Sequence, residues 1–258
     1  SFEKSGNVLF KYRGQIPVLS FLMAVPILFF TNGNLYYSLF TGEMTASRIV
    51  WMLLGFLFSL SGLALRAYTV STTPKGTSGR NTAGQVAKQL NTKGVYSIVR
   101  HPLYLANYLI WAGILVFSMN VWAFVIVSLC YWLYYERIMF AEEAYLRSRF
   151  GDDFEQWSAG VPAFIPDFSL FEKGNMAFSF KTFVRREYAT IFSTVFSYVV
   201  VDYLLFLLSY VQFTPDRLSC TEWIRPSLYV LAVCFVVLLI VRTIKHHTNW
   251  LAPDKSRD

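Results

Sequence analysis

Five long apolar runs determine what this chain can fold into. They cover residues 16–30, 49–65, 103–135, 188–212 and 226–241, and Asp202 is the one charged residue inside them. A helix that crosses a bilayer needs about 20 mostly apolar residues. Only 15% of the residues are charged, against about 25% in soluble domains. The sequence therefore predicts an all-α polytopic membrane protein.

The third run is too long for one helix and predicts two. It divides at Ser118-Met119-Asn120, which gives a tight helical hairpin at the centre of about six transmembrane helices. The whole chain, residues 1–258, is then a single integral membrane domain. Residues 1–66 hold two spans, residues 67–166 hold the hairpin with its polar flanks, and residues 167–258 hold two further spans and a basic tail.

Small residues on the second span predict a close helix contact. Gly55, Ser59 and Gly62 share one helical face, and such faces let helix backbones approach each other in lipid.

The basic residues predict how the chain is oriented in the membrane. With six spans, 20 of the 23 Lys and Arg residues fall on the side that holds both termini. Cytoplasmic loops carry an excess of Lys and Arg, so we expect the termini and both long polar segments to be cytoplasmic. The net charge of +7 follows from this asymmetry and from attraction to anionic membrane lipids, and it indicates no nucleic-acid partner.

The cysteines and the late histidines indicate no metal site. Cys130, Cys220 and Cys234 form neither a Cys-x-x-Cys pair nor a cluster with histidine, the patterns that are typical of metal sites. His246 and His247 follow the last span and favour an interfacial basic tail.

An Arg-His-Pro tripeptide stands at the edge of the third run. Proline is tolerated at the first helical position, because the N–H that it lacks would have no partner there. Pro102 is therefore predicted to begin the helix, whose free N–H groups favour an anion. Arg100 adds a full positive charge beside them.

A polar stripe continues along the same helix. His101, Tyr104, Tyr108 and Trp111 follow at spacings of three, four and three residues, and Asn107 lies next to them. A polar stripe within a span usually faces protein or a wet cavity. An interfacial belt of Tyr and Trp is the alternative, although Asn107 and Trp111 lie a turn or more deeper.

Two adjacent acids follow the predicted hairpin. Taken alone, Glu143 and Arg147 would form a surface pair worth about 0.3–0.5 kcal/mol, and Glu142 would lie on a solvated helix. The hairpin, however, returns both acids to the membrane face that holds Arg100 and His101. A cation, an imidazole and two carboxylates would then share one mouth, which suits a zwitterionic ligand.

Two motifs together resemble a known enzyme family. They are GVYSIVRHPLY, residues 94–104, and AEEAYLRSRFGDDFEQW followed by VPAFIP, residues 141–166. The pair resembles the integral-membrane methyltransferases related to isoprenylcysteine carboxyl methyltransferase and to the phospholipid N-methyltransferases. The resemblance extends over about residues 63–166, which makes residues 67–166 the methyltransferase core.

The resemblance implies that S-adenosylmethionine binds in a cytosolic pocket between the hairpin and its flanks. Carboxylates would accept hydrogen bonds from its ammonium or ribose, arginine would hold its carboxylate, and tyrosine faces favour a sulfonium. The residues expected to bind this cofactor are Tyr96, Arg100, His101, Pro102, Tyr104, Asn107, Tyr108, Glu142 and Glu143. Arg100, His101 and Glu142 are also expected to be catalytic.

The methyl acceptor is expected to be a lipophilic molecule within the bilayer. Residues 69–93 carry no acid, and Lys75, Arg80 and Lys88 make them either a solvated connector or an anion-facing loop. Prenylcysteine enzymes of this family have basic residues just before the Val-Pro, where this chain has residues 158–160, Ser-Ala-Gly. Both features favour a lipid headgroup over a prenylated protein.

Other functions stay open at this point. An NADPH-dependent sterol-type reductase is one, because related helical-hairpin folds exist. A non-catalytic scaffold or transporter is another, although the chain shows no repeats typical of transporters. Asp202 is either functional, as intramembrane acids often are, or bonded to a neighbouring helix.

Overall fold

The computed structural model describes residues 2–13, 16–30, 46–74, 87–213 and 224–252. These ranges contain eight α-helices and two short 3₁₀ turns, Val95–Ser97 and Phe168–Leu170. The helices are α1 (Phe2–Tyr12), α2 (Ile16–Phe30), α3 (Ala46–Thr72), α4 (Pro102–Phe117), α5 (Val121–Phe150), α6 (Asp152–Gly160), α7 (Phe180–Phe213) and α8 (Pro226–His247).

Four of these helices are long and apolar enough to cross a membrane. They are α3, α5, α7 and α8, and α4 is a shorter apolar helix. The apolar part of α8 buries none of its residues within the protein, so its surface suits contact with lipid. The prediction of a helical integral membrane protein is confirmed.

The structure splits the third apolar run at residues 118–120. α4 begins at Pro102, with His101 as its N-cap residue. After α4 ends, Asn120 caps the start of α5, and its side-chain oxygen accepts a hydrogen bond from the backbone N–H of Ala123 at 2.8 Å. Asparagine is among the best N-cap residues, which explains why the new helix begins there.

α3 and α4 pack backbone against backbone. A Cβ atom added at Gly55 would lie 2.7 Å from the carbonyl oxygen of Gly113, and one added at Gly62 would lie 2.5 Å from that of Ala106. Between these positions, the hydroxyl of Ser59 donates a hydrogen bond to a backbone carbonyl of α4 at 2.8 Å. The predicted small-residue face is confirmed, and it sets how closely the two helices approach.

The amphipathic helix α1 lies against the second half of α5. Gly6 is so close to the backbone carbonyl of Arg137 that no Cβ atom fits between them. The hydroxyl of Tyr134 donates to the carbonyl oxygen of Leu9 at 2.7 Å. Phe10 is buried against aromatic residues of α4 and α5, so α1 forms one wall of the region described below.

A bidentate ion pair joins α7 to the start of α8. The Nε and Nη2 atoms of Arg225 each donate to the carboxylate of Asp202 at 2.7 Å. The hydroxyl of Ser227 donates to the same carboxylate at 2.7 Å. Of the two roles open for Asp202, the structure supports the bond to a neighbouring helix.

Replacing Asp202 with asparagine is expected to destabilise the protein by about 3 kcal/mol, because the largely buried Arg225 would lose its counter-charge. The measurement is the thermal unfolding temperature of the purified variant in detergent. Glu155→Gln is the control, because its pair with Arg147 is about half exposed and such pairs contribute little. Equal unfolding temperatures for the two variants would contradict this prediction.

Candidate active site

The segment after α6 holds the start of α4. The backbone N–H groups of Arg100 and His101 donate to the carbonyl oxygens of Pro162 and Ala163 at 2.9 and 3.2 Å. Pro102 is fully buried behind them. These two backbone N–H groups are therefore already satisfied by the protein itself.

The imidazole of His101 lies between two carboxylates of α5. Its Nε2 atom is 2.8 Å from Oε1 of Glu143, and its Nδ1 atom is 3.7 Å from Oε2 of Glu142. The side chain of His101 is 5% exposed, against 17% for Glu143 and 32% for Glu142. Glu143 is thus paired with His101, whereas Glu142 is the carboxylate that solvent or a ligand can reach.

The guanidinium of Arg100 completes this cluster. Its Nη1 atom donates to the carbonyl oxygen of Ser158 at 2.9 Å. Its Nε atom lies 3.1 Å from Oε1 of Glu143, but the angle makes no hydrogen bond, and this buried nitrogen has no hydrogen-bond partner among the described residues. The guanidinium is therefore held between Glu143 and the carbonyl of Ser158 and contributes the positive charge of the cluster.

The surface pair between Glu143 and Arg147, the alternative to the pairing with Arg100 and His101, does not form. Arg147 hydrogen-bonds Glu155 of α6 instead. Glu143 pairs with Arg100 and His101, because Coulomb attraction is stronger where both partners are shielded from water.

Tyrosine rings from α4 and α5 stack below the cluster. The rings of Tyr131 and Tyr135 lie 4.1 Å apart between centroids, and Tyr104 is 5.0 Å from Tyr135. Tyr108 is 5.3 Å from Tyr131. The two α5 tyrosines were missed from the sequence, although their spacing of four matches that of the two α4 tyrosines. Such ring faces attract a cation.

Tyr96 approaches the cluster from the turn before α4. Its backbone carbonyl accepts a hydrogen bond from the indole of Trp157 at 3.1 Å. Burial raises the pKa of the Tyr96 hydroxyl, and the negative charge of Glu142 raises it further. The phenol therefore stays neutral at physiological pH and keeps its proton as a hydrogen-bond donor.

Asn107 lies deeper on α4 and contacts an ion pair. Arg66 of α3 donates to its side-chain oxygen and also to both carboxylate oxygens of Glu187 of α7, at 2.8 and 3.1 Å. Arg66 and Glu187 were not predicted as partners, because residues 121 positions apart show no helical spacing that would relate them.

The structure thus brings together most residues expected at the site. Arg100, His101, Tyr104, Glu142 and Glu143 form one cluster, Tyr96 and Pro102 border it, and Tyr108 and Asn107 lie deeper on α4. Of the basic loop residues, Lys75 and Arg80 lie outside the described residues, and Lys88 is exposed. A cation, a partly exposed carboxylate and tyrosine rings together suit a zwitterionic ligand.

Comparison with known proteins identifies relatives of this region. Residues 50–153 match the family model for phospholipid methyltransferases. The protein-S-isoprenylcysteine O-methyltransferase of Schizosaccharomyces pombe is 41% identical over 78 residues, which cover 30% of this chain and 33% of that protein. Protein-S-isoprenylcysteine O-methyltransferase B of Arabidopsis thaliana is 36% identical over 80 residues, 30% of this chain and 40% of that protein.

A third relative carries a different name. The nickel-cobalt-cadmium resistance protein NccN of Alcaligenes xylosoxydans xylosoxydans is 33% identical over 89 residues, which cover 34% of this chain and 41% of that protein. No solved structure matches the chain at comparable significance. The chain therefore spans 33% to 41% of the length of these three relatives. The resemblance to membrane methyltransferases is confirmed over this segment.

Proposed function

We propose that this protein transfers a methyl group from S-adenosylmethionine to a lipophilic acceptor in the bilayer. The observation that carries the proposal is the convergence of Arg100 and His101, at the start of α4, with Glu142 and Glu143 of α5. This convergence lies within the segment that is similar to phospholipid methyltransferases.

The donor groups of the cluster fit S-adenosylmethionine. The positive charge of Arg100, whose side chain is 19% exposed, suits the cofactor's carboxylate. The partly open carboxylate of Glu142 suits its ammonium or ribose hydroxyls. The neighbouring rings of Tyr104 and Tyr135, which are tilted against each other, suit its sulfonium. When bound, the cofactor supplies a methyl group on a positively charged sulfur that leaves as a neutral thioether.

The residues around this site contribute mainly alignment. Holding two reactants in line is worth up to about 7–11 kcal/mol in well-oriented cases. The pair of Glu143 with His101 fixes the imidazole, whose side chain is almost wholly removed from water. A phosphate or carboxylate oxygen is already anionic and needs no base. An amine acceptor must lose a proton, and His101 or Glu142 can take it.

The acceptor is proposed to be a lipid headgroup that enters from the bilayer. Prenylcysteine enzymes have basic residues before the Val-Pro, but here Ser158 only presents a carbonyl to Arg100, and a Cβ atom added at Gly160 would meet no described atom within 4 Å. No second cation therefore stands at residues 158–160 for a prenylcysteine carboxylate. An amine headgroup fits this arrangement directly, whereas a phosphate headgroup would take its counter-charge from the basic residues of the 69–93 segment.

The proposed orientation has six spans, with the site facing the cytoplasm. The four long apolar helices would cross together with α4 and α2. Single cysteines at positions 88 and 246 of a variant without native cysteines are expected to react with an impermeant thiol reagent only after permeabilisation of intact cells. Labelling of both positions in intact cells would contradict the proposed orientation.

The proposed activity is tested with the purified protein, methyl-labelled S-adenosylmethionine and membrane lipid extracts, followed by mass spectrometry of labelled products. We expect label on a lipid. Label confined to an added prenylated peptide would overturn the headgroup acceptor, and saturable binding of NADPH without any methyl transfer would overturn the methyltransferase proposal in favour of a reductase.

A further inference from the structure

We infer that Glu187 is a positioning residue for the site, acting through Arg66 on Asn107. This inference rests on the proposed function and assigns a role to α7, which lies outside the segment similar to phospholipid methyltransferases. The helix would thus be part of the catalytic unit and not only a membrane anchor.

The contact geometry leaves Arg66 little freedom. Its Nε and Nη2 atoms bind the two carboxylate oxygens of Glu187 at 2.8 and 3.1 Å, which is the bidentate arrangement that fixes a guanidinium plane. Its Nη1 atom is left for the side-chain oxygen of Asn107. Glu187 of α7 therefore fixes the position at which the guanidinium of Arg66 contacts α4.

This cation determines which way the amide of Asn107 faces. Arginine only donates hydrogen bonds, so Asn107 must present its carbonyl oxygen to Arg66. The amide nitrogen of Asn107 is then directed away from Arg66. Asn107 also interacts with the side chain of Tyr135, a member of the tyrosine stack. The amide is thus a donor of fixed orientation beside the aromatic rings below His101.

Burial indicates that this pair has a role beyond surface charge. The side chain of Glu187 is 1% exposed and that of Arg66 is 13% exposed. Both residues lie next to the apolar runs 49–65 and 188–212, and charges taken out of water are costly unless they are held in good hydrogen-bonding geometry. Asp202, on the same helix α7, forms a second bidentate pair with Arg225. No described hydrogen bond joins that second pair to the candidate site, which makes it a matched comparison.

The experiment compares Glu187→Gln, Asn107→Ala and the variant with both changes, using kcat, KM for each substrate and unfolding temperature. A misplaced donor at a site can cost about 10²-fold in rate, so we expect Glu187→Gln to lower kcat/KM by up to that factor. The double variant is expected to be no slower than Asn107→Ala, because a positioning residue adds nothing once its target is gone. Glu187→Asp is expected to restore part of the loss.

A second pair of variants separates positioning from folding. Arg66→Gln with Glu187→Gln removes both charges and leaves no unpaired ion, so this protein is expected to fold and still transfer methyl groups slowly. Asp202→Asn is expected to lower the unfolding temperature but to keep the wild-type kcat for the folded fraction. Additive losses for Glu187→Gln and Asn107→Ala, or equal kcat losses for Glu187→Gln and Asp202→Asn, would overturn the inference.

Failure of the inference is distinct from failure of the proposed function. If the wild-type protein labels no acceptor, the methyltransferase proposal fails. If the wild type is active and Glu187→Gln has the same kcat and KM values, the activity stands and the role of Glu187 is wrong.

Discussion

Replacing Glu143 with alanine is expected to lower methyl transfer by about 10²–10³-fold. The change leaves His101 and Arg100 without their shared carboxylate, so both side chains lose the contact that holds them in place. Misplacement of groups at a site costs about 10²-fold in rate, and loss of one preorganised polar group costs about 10²–10³-fold. The measurement is kcat/KM with labelled S-adenosylmethionine, together with the equilibrium affinity for the cofactor.

The same loss is expected for His101→Ala and Glu142→Ala, because all three side chains form one cluster. Glu155→Ala is the matched control. Its carboxylate lies nearby in sequence and pairs with Arg147, but half of it is exposed, so its removal is expected to leave the rate within about twofold. Wild-type activity and cofactor affinity in all three cluster variants would refute the assignment.

Replacing Gly113 with leucine is expected to prevent normal packing of α3 against α4. A Cβ atom at this position would collide with the hydroxyl of Ser59, the backbone nitrogen of Ser59 and the carbonyl oxygen of Gly55. The last two are backbone atoms of α3 that cannot turn aside. Overpacking of a well-packed interface typically costs about 1–3 kcal/mol, occasionally more. The measurement is the yield of monodisperse protein in detergent and its unfolding temperature.

Gly160 provides the control for this prediction. No described atom lies within 4 Å of a Cβ atom added there, so Gly160→Leu is expected to leave both the yield and the unfolding temperature unchanged. Similar losses for the two leucine variants would show that the close approach of α3 and α4 does not set stability.

Local sequence signals predicted the helical framework because their causes are local. Proline at a first helical position acts within one turn, so the start of α4 at Pro102 was predicted directly. The break at residues 118–120 followed from the length of the apolar run, and the structure adds that Asn120 caps α5. The packing face of α3 could also be predicted, because glycine and serine at helical spacing are typical of close helix contacts in membranes.

Partners that are distant in sequence could not be predicted in this way. Arg147 pairs with Glu155 because the turn between α5 and α6 brings them together. Arg66 pairs with Glu187 because α7 packs near the end of α3. Spacing along a helix gives no information on either. The cluster of Arg100, His101, Glu142 and Glu143 could be predicted because the two motifs that contain these residues resemble one family. Tyr131 was not predicted, because no such motif covers that part of α5.

The central claim is that one mouth, formed by α4 and α5, binds S-adenosylmethionine. Photo-crosslinking of the radiolabelled cofactor to the purified protein, followed by mapping of the labelled peptides, tests it most directly. We expect saturable labelling of peptides that contain residues 94–108 or 134–160, and loss of that labelling in the Glu142→Ala variant. Saturable labelling confined to other parts of the chain, or no saturable labelling at all, would contradict the claim.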